Sequence, residues 1–310
     1  MRNNQIILGA GGSIGNALAK ELKAYTQNIL LFSRNPKKIN DDDILITGDL
    51  LSLEQTTNAL KNVDVAYLVV GLPYNTKIWE RDFLKIVHNV IEGCKIHKVP
   101  LVFLDNVYMY DPEYFEDLHE DAPFKIVSKK GAVRTAIASL INKEILKNSI
   151  NILVARSADF YGKDVKNSMF NEQVIKRIQE GKKANWFIDA NKKHSLTLVS
   201  DAAKAIAKLG NSNQAYNQVW HLPTDKAHTV NELLCKISKI TGKPAKIQVA
   251  SRFMITVLGW FIPAIRETKE LLYQYDRDFE FKSTKFESEF NFKPKSIDAE
   301  LRQIFSSFEV

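Results

Sequence analysis

The chain has 310 residues, 45% of them apolar and 25% charged, a balance that excludes disorder as the main state and suits one large domain or two. Its 43 Lys and Arg against 36 Asp and Glu give a net charge of +7, but the excess lies in short pairs such as Lys129-Lys130 and Lys182-Lys183 and is offset by acids such as Asp41-Asp42-Asp43. With no basic stripe carrying interleaved aromatics and no zinc-ligand spacing among its six histidines, the chain reads as neither a nucleic-acid binder nor a metal protein.

The first residues, Met1-Arg2-Asn3-Asn4, run directly into Ile6-Ile7-Leu8, without the apolar core and cleavage site of a secretory signal. Short apolar runs at residues 5–9, 28–33, 44–47, 65–71, 101–104 and 150–155 predict strands buried on both faces. Helical spacing lies between several of them. Ile14, Leu18 and Leu22 repeat every four residues, while Trp79, Phe83, Val87, Val90 and Cys94 keep steps of three or four. Val133, Ile137, Leu140 and Ile145 follow a similar pattern. Strand–helix–strand repetition predicts an α/β fold, a doubly wound parallel sheet of the dinucleotide-binding Rossmann kind, with ligands beyond the carboxyl ends of its strands.

After about residue 160 the alternation weakens. Residues 167–180 read as a helix ended by Gly181, 184–188 as a strand, 201–209 as a helix ended by Gly210, and 218–222 as a strand. Thr229 is placed to cap a helix over 230–240 that stops at Thr241-Gly242. The apolar run Phe253–Ile265 falls short of the roughly 20 residues that span a bilayer and contains Pro263; it reads as a helix broken at Gly259 and Pro263, or as an apolar lid. The expected division is residues 1–165 as a dinucleotide-binding domain and 166–310 as a smaller α/β cap and substrate region, with segments returning to the sheet. His194, His221 and His228 suit structural roles, with His221 a possible substrate contact. Cys94 falls on an apolar helix face and is expected to be inert. Cys94 and Cys235 form no disulfide framework, which makes a reducing cytoplasm the expected compartment.

Gly9-Ala10-Gly11-Gly12-Ser13-Ile14-Gly15 follows the first strand and opens the first helix. Gly9 permits the tight turn, Gly12 lets a pyrophosphate approach the backbone, and Gly15 lets helix and strand pack closely. The helix N-terminus, at Ser13 and Ile14, then offers free amides to the phosphates. The second strand ends in Ser33-Arg34, with Lys37 and Lys38 behind, where an NAD enzyme carries an acid for the ribose hydroxyl. A guanidinium suits a 2′-phosphate, so NADP is expected over NAD, unless Arg34 is simply a solvated turn residue. Asp49 and Leu50 after the third strand are placed to border the adenine, and Val70 and Gly71 after the fourth to lie along the ribose.

Together these features resemble the extended short-chain dehydrogenase/reductase family, in its NAD(P)-dependent epimerase/dehydratase branch, from residue 5 to about 240. The resemblance rests on the spacing of Gly9, Gly12 and Gly15, on Gly48-Asp49-Leu50, on Asn106 to Tyr110, on Arg156-Ser157-Ala158-Asp159-Phe160-Tyr161-Gly162, and on Leu198-Val199-Ser200-Asp201. It implies that the segment with Ala158 passes by the nicotinamide and substrate. The family's chemistry uses Tyr-x-x-x-Lys on the helix after the fifth strand and a Ser or Thr just after that strand. Here the pair is Lys130 and Arg134, and the hydroxyl position is Asn106.

Lys130 and Arg134 share one helix face, being four residues apart. Arg134 is placed to bond the nicotinamide ribose, Lys130 to act as general acid or base, Asn106 to polarise a carbonyl, and Tyr108 or Tyr110 to supply a phenol. The alternative is that Lys130 and Arg134 only bind phosphate or salt-bridge at the surface. Two functions stay open: an NADP(H)-dependent oxidoreductase or epimerase acting on a small carbonyl or hydroxyl compound, and a non-catalytic NADP(H)-binding redox sensor. No nucleic acid, membrane span or metal is expected, and the chain is read as a monomer or homodimer.

Overall fold

The computed structural model describes residues 2–163 and 165–306. In chain order the first half runs β1 (Asn4–Leu8), α1 (Ser13–Leu22), β2 (Asn28–Ser33), β3 (Ile44–Thr47), α2 (Leu53–Ala59), β4 (Val65–Leu68), α3 (Thr76–Ile78), α4 (Leu84–His97), β5 (Leu101–Asp105), α5 (Lys129–Leu146) and β6 (Ile152–Arg156). There follow β7 (Asp159–Tyr161), α6 (Lys176–Gln179), β8 (Ala184–Phe187), β9 (Lys193–His194), β10 (Leu196–Leu198), α7 (Val199–Gly210) and β11 (Val219–His221). The last part holds β12 (His228–Thr229), α8 (Val230–Thr241), β13 (Ile247–Ala250), α9 (Arg252–Phe261), α10 (Pro263–Thr268), α11 (Thr284–Phe290) and α12 (Ile297–Phe305). No helix among the described residues is long and apolar enough to cross a membrane.

The chain divides into two compact units. The first comprises residues 1–109, 129–156 and 202–222; the second comprises 110–128, 157–201 and 223–310. In the first, seven strands form one sheet in the order β11-β6-β5-β4-β1-β2-β3, and every pairing is parallel. The expected doubly wound α/β sheet is therefore present. Its central strands are mostly apolar because both faces are covered: Ile6, Ile7 and Leu8 of β1 are fully buried, whereas Ile44 and Leu45 of the edge strand β3 are exposed. Strand order reverses at β1, which lies between β4 and β2, so the switch point falls beside the glycine loop.

Several local expectations change. β4 stops at Leu68, three residues short of the predicted run, since Val70 passes against Gly9. α2 carries no apolar periodicity long enough to announce it; Ser52 caps it by accepting from the Gln55 amide. Trp79–Phe83 forms a π-helical segment between α3 and α4. Gly210 closes α7, as expected, and a Cβ there would stand 2.4 Å from the Tyr67 hydroxyl oxygen. That hydroxyl belongs to a buried ring of polar groups. Tyr67 donates to Gln5 Oε1 (2.7 Å), Asn211 donates to the Tyr67 oxygen (3.2 Å), and Gln5 donates back to Asn211 Oδ1 (2.8 Å).

The second unit is built from three two-stranded pairings, β10-β7, β12-β9 and β13-β8, around a core that includes Phe170, Trp186, Leu233, Ile237 and Leu301. The helix expected over 167–180 contains a π-helical stretch, Asn171–Ile175, ahead of α6. Thr229 and Glu232 form a reciprocal capping box at the start of α8, and Gly242 ends it at φ +65°. Gly259 does not break α9. A Cβ there would lie 3.2 Å from the Arg266 Cα, so this glycine lets α9 and α10 approach, and the break comes at Ile262-Pro263. His194 is buried, with Nε2 2.9 Å from Asp159 Oδ2 and its ring stacked on Tyr275.

The close approach of Gly210 to Tyr67 generates a stability prediction. Gly210→Ala pushes a methyl into the buried polar ring, and urea unfolding should show a loss of about 1–3 kcal/mol relative to the parent. An unchanged midpoint would mean that Tyr67 yields freely.

Candidate functional site

The glycine loop is anchored before it turns. The Gly9 and Ala10 amides both donate to the Phe32 carbonyl, at 3.0 and 3.1 Å, which ties the end of β1 to β2. Gly9 and Gly11 have φ of +89° and +109°, which side chains disfavour, and a Cβ at Gly9 would lie 2.5 Å from the Val70 Cα. A Cβ at Gly12 would meet nothing within 4 Å, and Gly12 is the N-cap of α1, offering no side chain to the first-turn amides. No acid stands in that first turn. The result is a concave backbone with a positive helix end, which fits a diphosphate.

Ser13 is half-buried and begins α1; Ile14 packs inward, so only its backbone serves the loop. Gly15 proves less critical than expected: its Cβ would make ordinary contacts, 3.5 Å to Val69 and 3.7 Å to Ile7. The tight approach between elements is made at Gly9 instead.

Beyond β2, Arg34 is exposed, as the reading of a 2′-phosphate contact needs. The Asp49 carboxylate accepts from the Leu51 amide (3.0 Å) and the Asp49 amide donates to Gln55 Oε1 (2.8 Å), so its side chain turns the chain into α2. Leu50 is buried, and its carbonyl accepts from Asn89 (2.9 Å). Val70 lies beneath Gly9, while Gly71 is exposed.

A buried charged centre stands at the carboxyl ends of β5 and β6. Asp105 closes β5, Arg156 closes β6, and Arg134 comes from the second turn of α5. Asp105 Oδ1 accepts from Arg134 Nη1 (3.1 Å) and from the Asn106 amide (2.9 Å), while Oδ2 faces Arg156 Nε at 3.4 Å. All three side chains are at least nine-tenths buried. Arg134 also lies over the rings of Phe83 (4.0 Å) and Trp79 (4.8 Å), and Tyr108 stacks on Trp79. Burial draws the Arg134 guanidinium below its ordinary value and Asp105 opposes that, which leaves a cation. Arg134 Nε has no hydrogen-bond partner among the described residues.

Lys130, one turn earlier on α5, is fully buried. Its Nζ donates to Thr76 Oγ1 (2.8 Å) and sits 4.6 Å from the centre of the Tyr74 ring. Lys130 and Arg134 are therefore interior rather than at the surface, and each is held by specific partners, Arg134 in an ion pair with Asp105. Asn106 Oδ1 accepts from the Tyr108 amide (3.2 Å), which leaves its nitrogen as the side-chain donor. Tyr110 is buried, and its hydroxyl donates to the Glu120 carbonyl (3.2 Å).

The structure thus gathers Asn106, Tyr108, Lys130 and Arg134 in one unit, on the sheet edge that carries the glycine loop. Ala158 belongs to the second unit, where its amide donates to Thr197 Oγ1 (3.1 Å). Asp105, Arg156, Thr76, Trp79 and Phe83 were missed from sequence. The available signal was an acid closing one apolar strand and an arginine closing another. No group of three or more metal-binding side chains occurs among the described residues.

The chain's residues 5–220 match the model of the NAD dependent epimerase/dehydratase family. Comparison with curated proteins finds no match. Among solved structures, the chain is similar to UDP-N-acetylglucosamine 4-epimerase from Bacillus cereus, at 16% identity and a TM-score of 0.77, covering 98% of this chain and 96% of that one. It is similar to UDP-glucose 4-epimerase from Thermus thermophilus in complex with NAD, at 18% identity and a TM-score of 0.77, covering 98% of each chain. A third is UDP-N-acetylglucosamine 4-epimerase from Methanobrevibacter ruminantium in complex with UDP-N-acetylmuramic acid, at 16% identity, a TM-score of 0.79 and 99% of each chain. With a glycine loop, a seven-stranded parallel sheet and this match over most of its length, the chain belongs to the NAD dependent epimerase/dehydratase family.

Proposed function

We propose that this protein binds NADP(H) along the Gly9–Gly15 loop and exchanges hydride with a carbonyl or hydroxyl compound. The observation that carries this reading is the buried Lys130, fixed by Thr76 at the position where the family has its tyrosine, on the sheet edge that holds the glycine loop. When bound, the nicotinamide supplies the hydride acceptor or donor. The protein's own residues do the rest. The Asn106 amide nitrogen hydrogen-bonds the substrate oxygen, and Lys130 gives or takes the proton there. Thr76, accepting from Nζ, holds the amine in place. Arg134, steadied by Asp105, reaches a ribose hydroxyl, and Tyr108 offers a phenolic donor beside it.

Arg34, with Lys37 behind it, favours NADP over NAD. Several solved structures similar to this chain are named as epimerases of nucleotide sugars, so nucleotide sugars are the first substrates to screen, followed by simple aldehydes and ketones. Residues 166–310 would form the substrate and cap region. The protein would work in the cytoplasm as a monomer or homodimer. One observation favours a second reading: position 130 carries no phenol, which a non-catalytic NADP(H) sensor would not need.

Two experiments test this. Gly12 has an ordinary φ of −79° and open space around a Cβ, so Gly12→Ala should keep its melting temperature yet bind NADPH roughly tenfold more weakly by calorimetry. Arg34→Ala should lose about tenfold for NADPH and little for NADH; equal losses would remove the NADP assignment.

The second experiment follows NADPH oxidation across the substrate panel. Lys130→Met should lower kcat by roughly 100-fold or more with NADPH affinity unchanged. Thr76→Val should lower kcat and Thr76→Ser restore it. Turnover unaffected by Lys130→Ala combined with Tyr108→Phe would overturn the catalytic assignment, and NADPH binding without any turnover would favour the sensor.

A further inference from the structure

The second unit contains a cavity of about 390 Å³ that the dinucleotide reading does not use. It lies where α6 and α8 end, beside the start of β8 and β13. Its apolar floor includes Ile178 and Phe305, and Lys182, Lys183, Lys243 and Lys246 line it with no carboxylate among the lining residues. The volume is within the range of small-molecule sites.

Two helix C-termini converge there, and cations commonly balance such ends. Each end carries only about half a negative charge, so two ends offset roughly one lysine. Glu180 pairs with Lys182, which offsets another. With four lysines lining the cavity, a net positive field is left over an apolar floor. Lys243 and Lys246 are exposed at the rim, so their heads are available to a ligand. A small inorganic anion would use the lysines but not the floor. An uncharged apolar molecule would use the floor but gain nothing from the lysines.

We propose that this cavity binds a small organic anion, an aryl or short acyl group carrying one phosphate or carboxylate. The apolar group lies against Ile178 and Phe305, and the charged head lies among Lys183, Lys243 and Lys246. This is a second ligand site, independent of the chemistry assigned to Lys130.

Phenyl phosphate, benzoate, inorganic phosphate and phenol serve as probes, titrated by calorimetry into the full chain and into the Lys243→Gln/Lys246→Gln variant. Both substitutions are at exposed positions, so the variant should keep the parent melting temperature. The expected result is that phenyl phosphate or benzoate binds more tightly than phosphate or phenol, and about fivefold more weakly in the variant. Added salt should weaken binding to the parent more than to the variant. Which of the two organic anions binds better identifies the head group. Binding of equal strength in parent and variant, or no binding of either organic anion, would overturn the proposal.

Discussion

The Asp105 carboxylate is the constraint on which the charged centre of the first unit depends. It closes β5 and accepts from Arg134 on α5 and Arg156 on β6, so one buried acid ties two strands and a helix at the same edge of the sheet. A carboxylate taken out of water costs several kcal/mol, and here two guanidiniums and the Asn106 amide offset that cost. Removing the acid would leave two interior cations, a loss on the order of 3–5 kcal/mol. The arrangement also fixes orientation. With Asp105 in place, the Arg134 guanidinium lies over the rings of Phe83 and Trp79, and Trp79 in turn stacks on Tyr108. The aromatic ladder, the helix and the turn after β5 are therefore set together.

The glycine loop depends on a different constraint, backbone space. Gly9 must be glycine twice over, for its positive φ and for the 2.5 Å that would separate a Cβ from Val70. Gly12 must be glycine for neither reason, since its φ is ordinary and its surroundings are open. A residue kept small where the protein itself does not require it points to something outside the protein. That contrast separates the glycine that shapes the loop from the one that leaves room beside it.

Much of this was legible in the sequence. Apolar runs of four to seven residues separated by helical repeats can hardly be satisfied except by a sheet covered on both faces, and β1, β2, β5 and β6 fall where those runs lie. The limits were also physical. α2 has only Thr56 and Ala59 buried, too little apolar surface to generate a period. Gly259 looked like a helix breaker because a string of letters does not show Arg266 approaching from the next helix, and the approach of Tyr67 to Gly210 is equally invisible there. Lys130 and Arg134 were reached through the family resemblance, four residues apart where the family carries Tyr-x-x-x-Lys. Thr76 and Asp105 come from other segments 54 and 29 residues away, and only the folded sheet brings them near. Asn106 drew the attention that its neighbour Asp105 also merited: an acid ending an apolar strand must find a cation or remain unburied.

In the proposed reading an amine at position 130 stands where the family has a phenol, and that exchange preserves more of the family's logic than it first suggests. A phenol that gives up its proton becomes an anion, and an ammonium that does so becomes neutral. A nearby cation favours the proton-poor form in both cases, by attracting the phenolate or by repelling the ammonium. What differs is the state that burial favours. A low-dielectric site opposes the phenolate and the ammonium alike, so it works against proton release by tyrosine but with proton release by lysine. In the proposed reading an interior lysine held by a hydroxyl takes over the proton transfer of a tyrosine in a drier setting, and Lys130 is fully buried, with Nζ donating to Thr76 and lying over the Tyr74 ring.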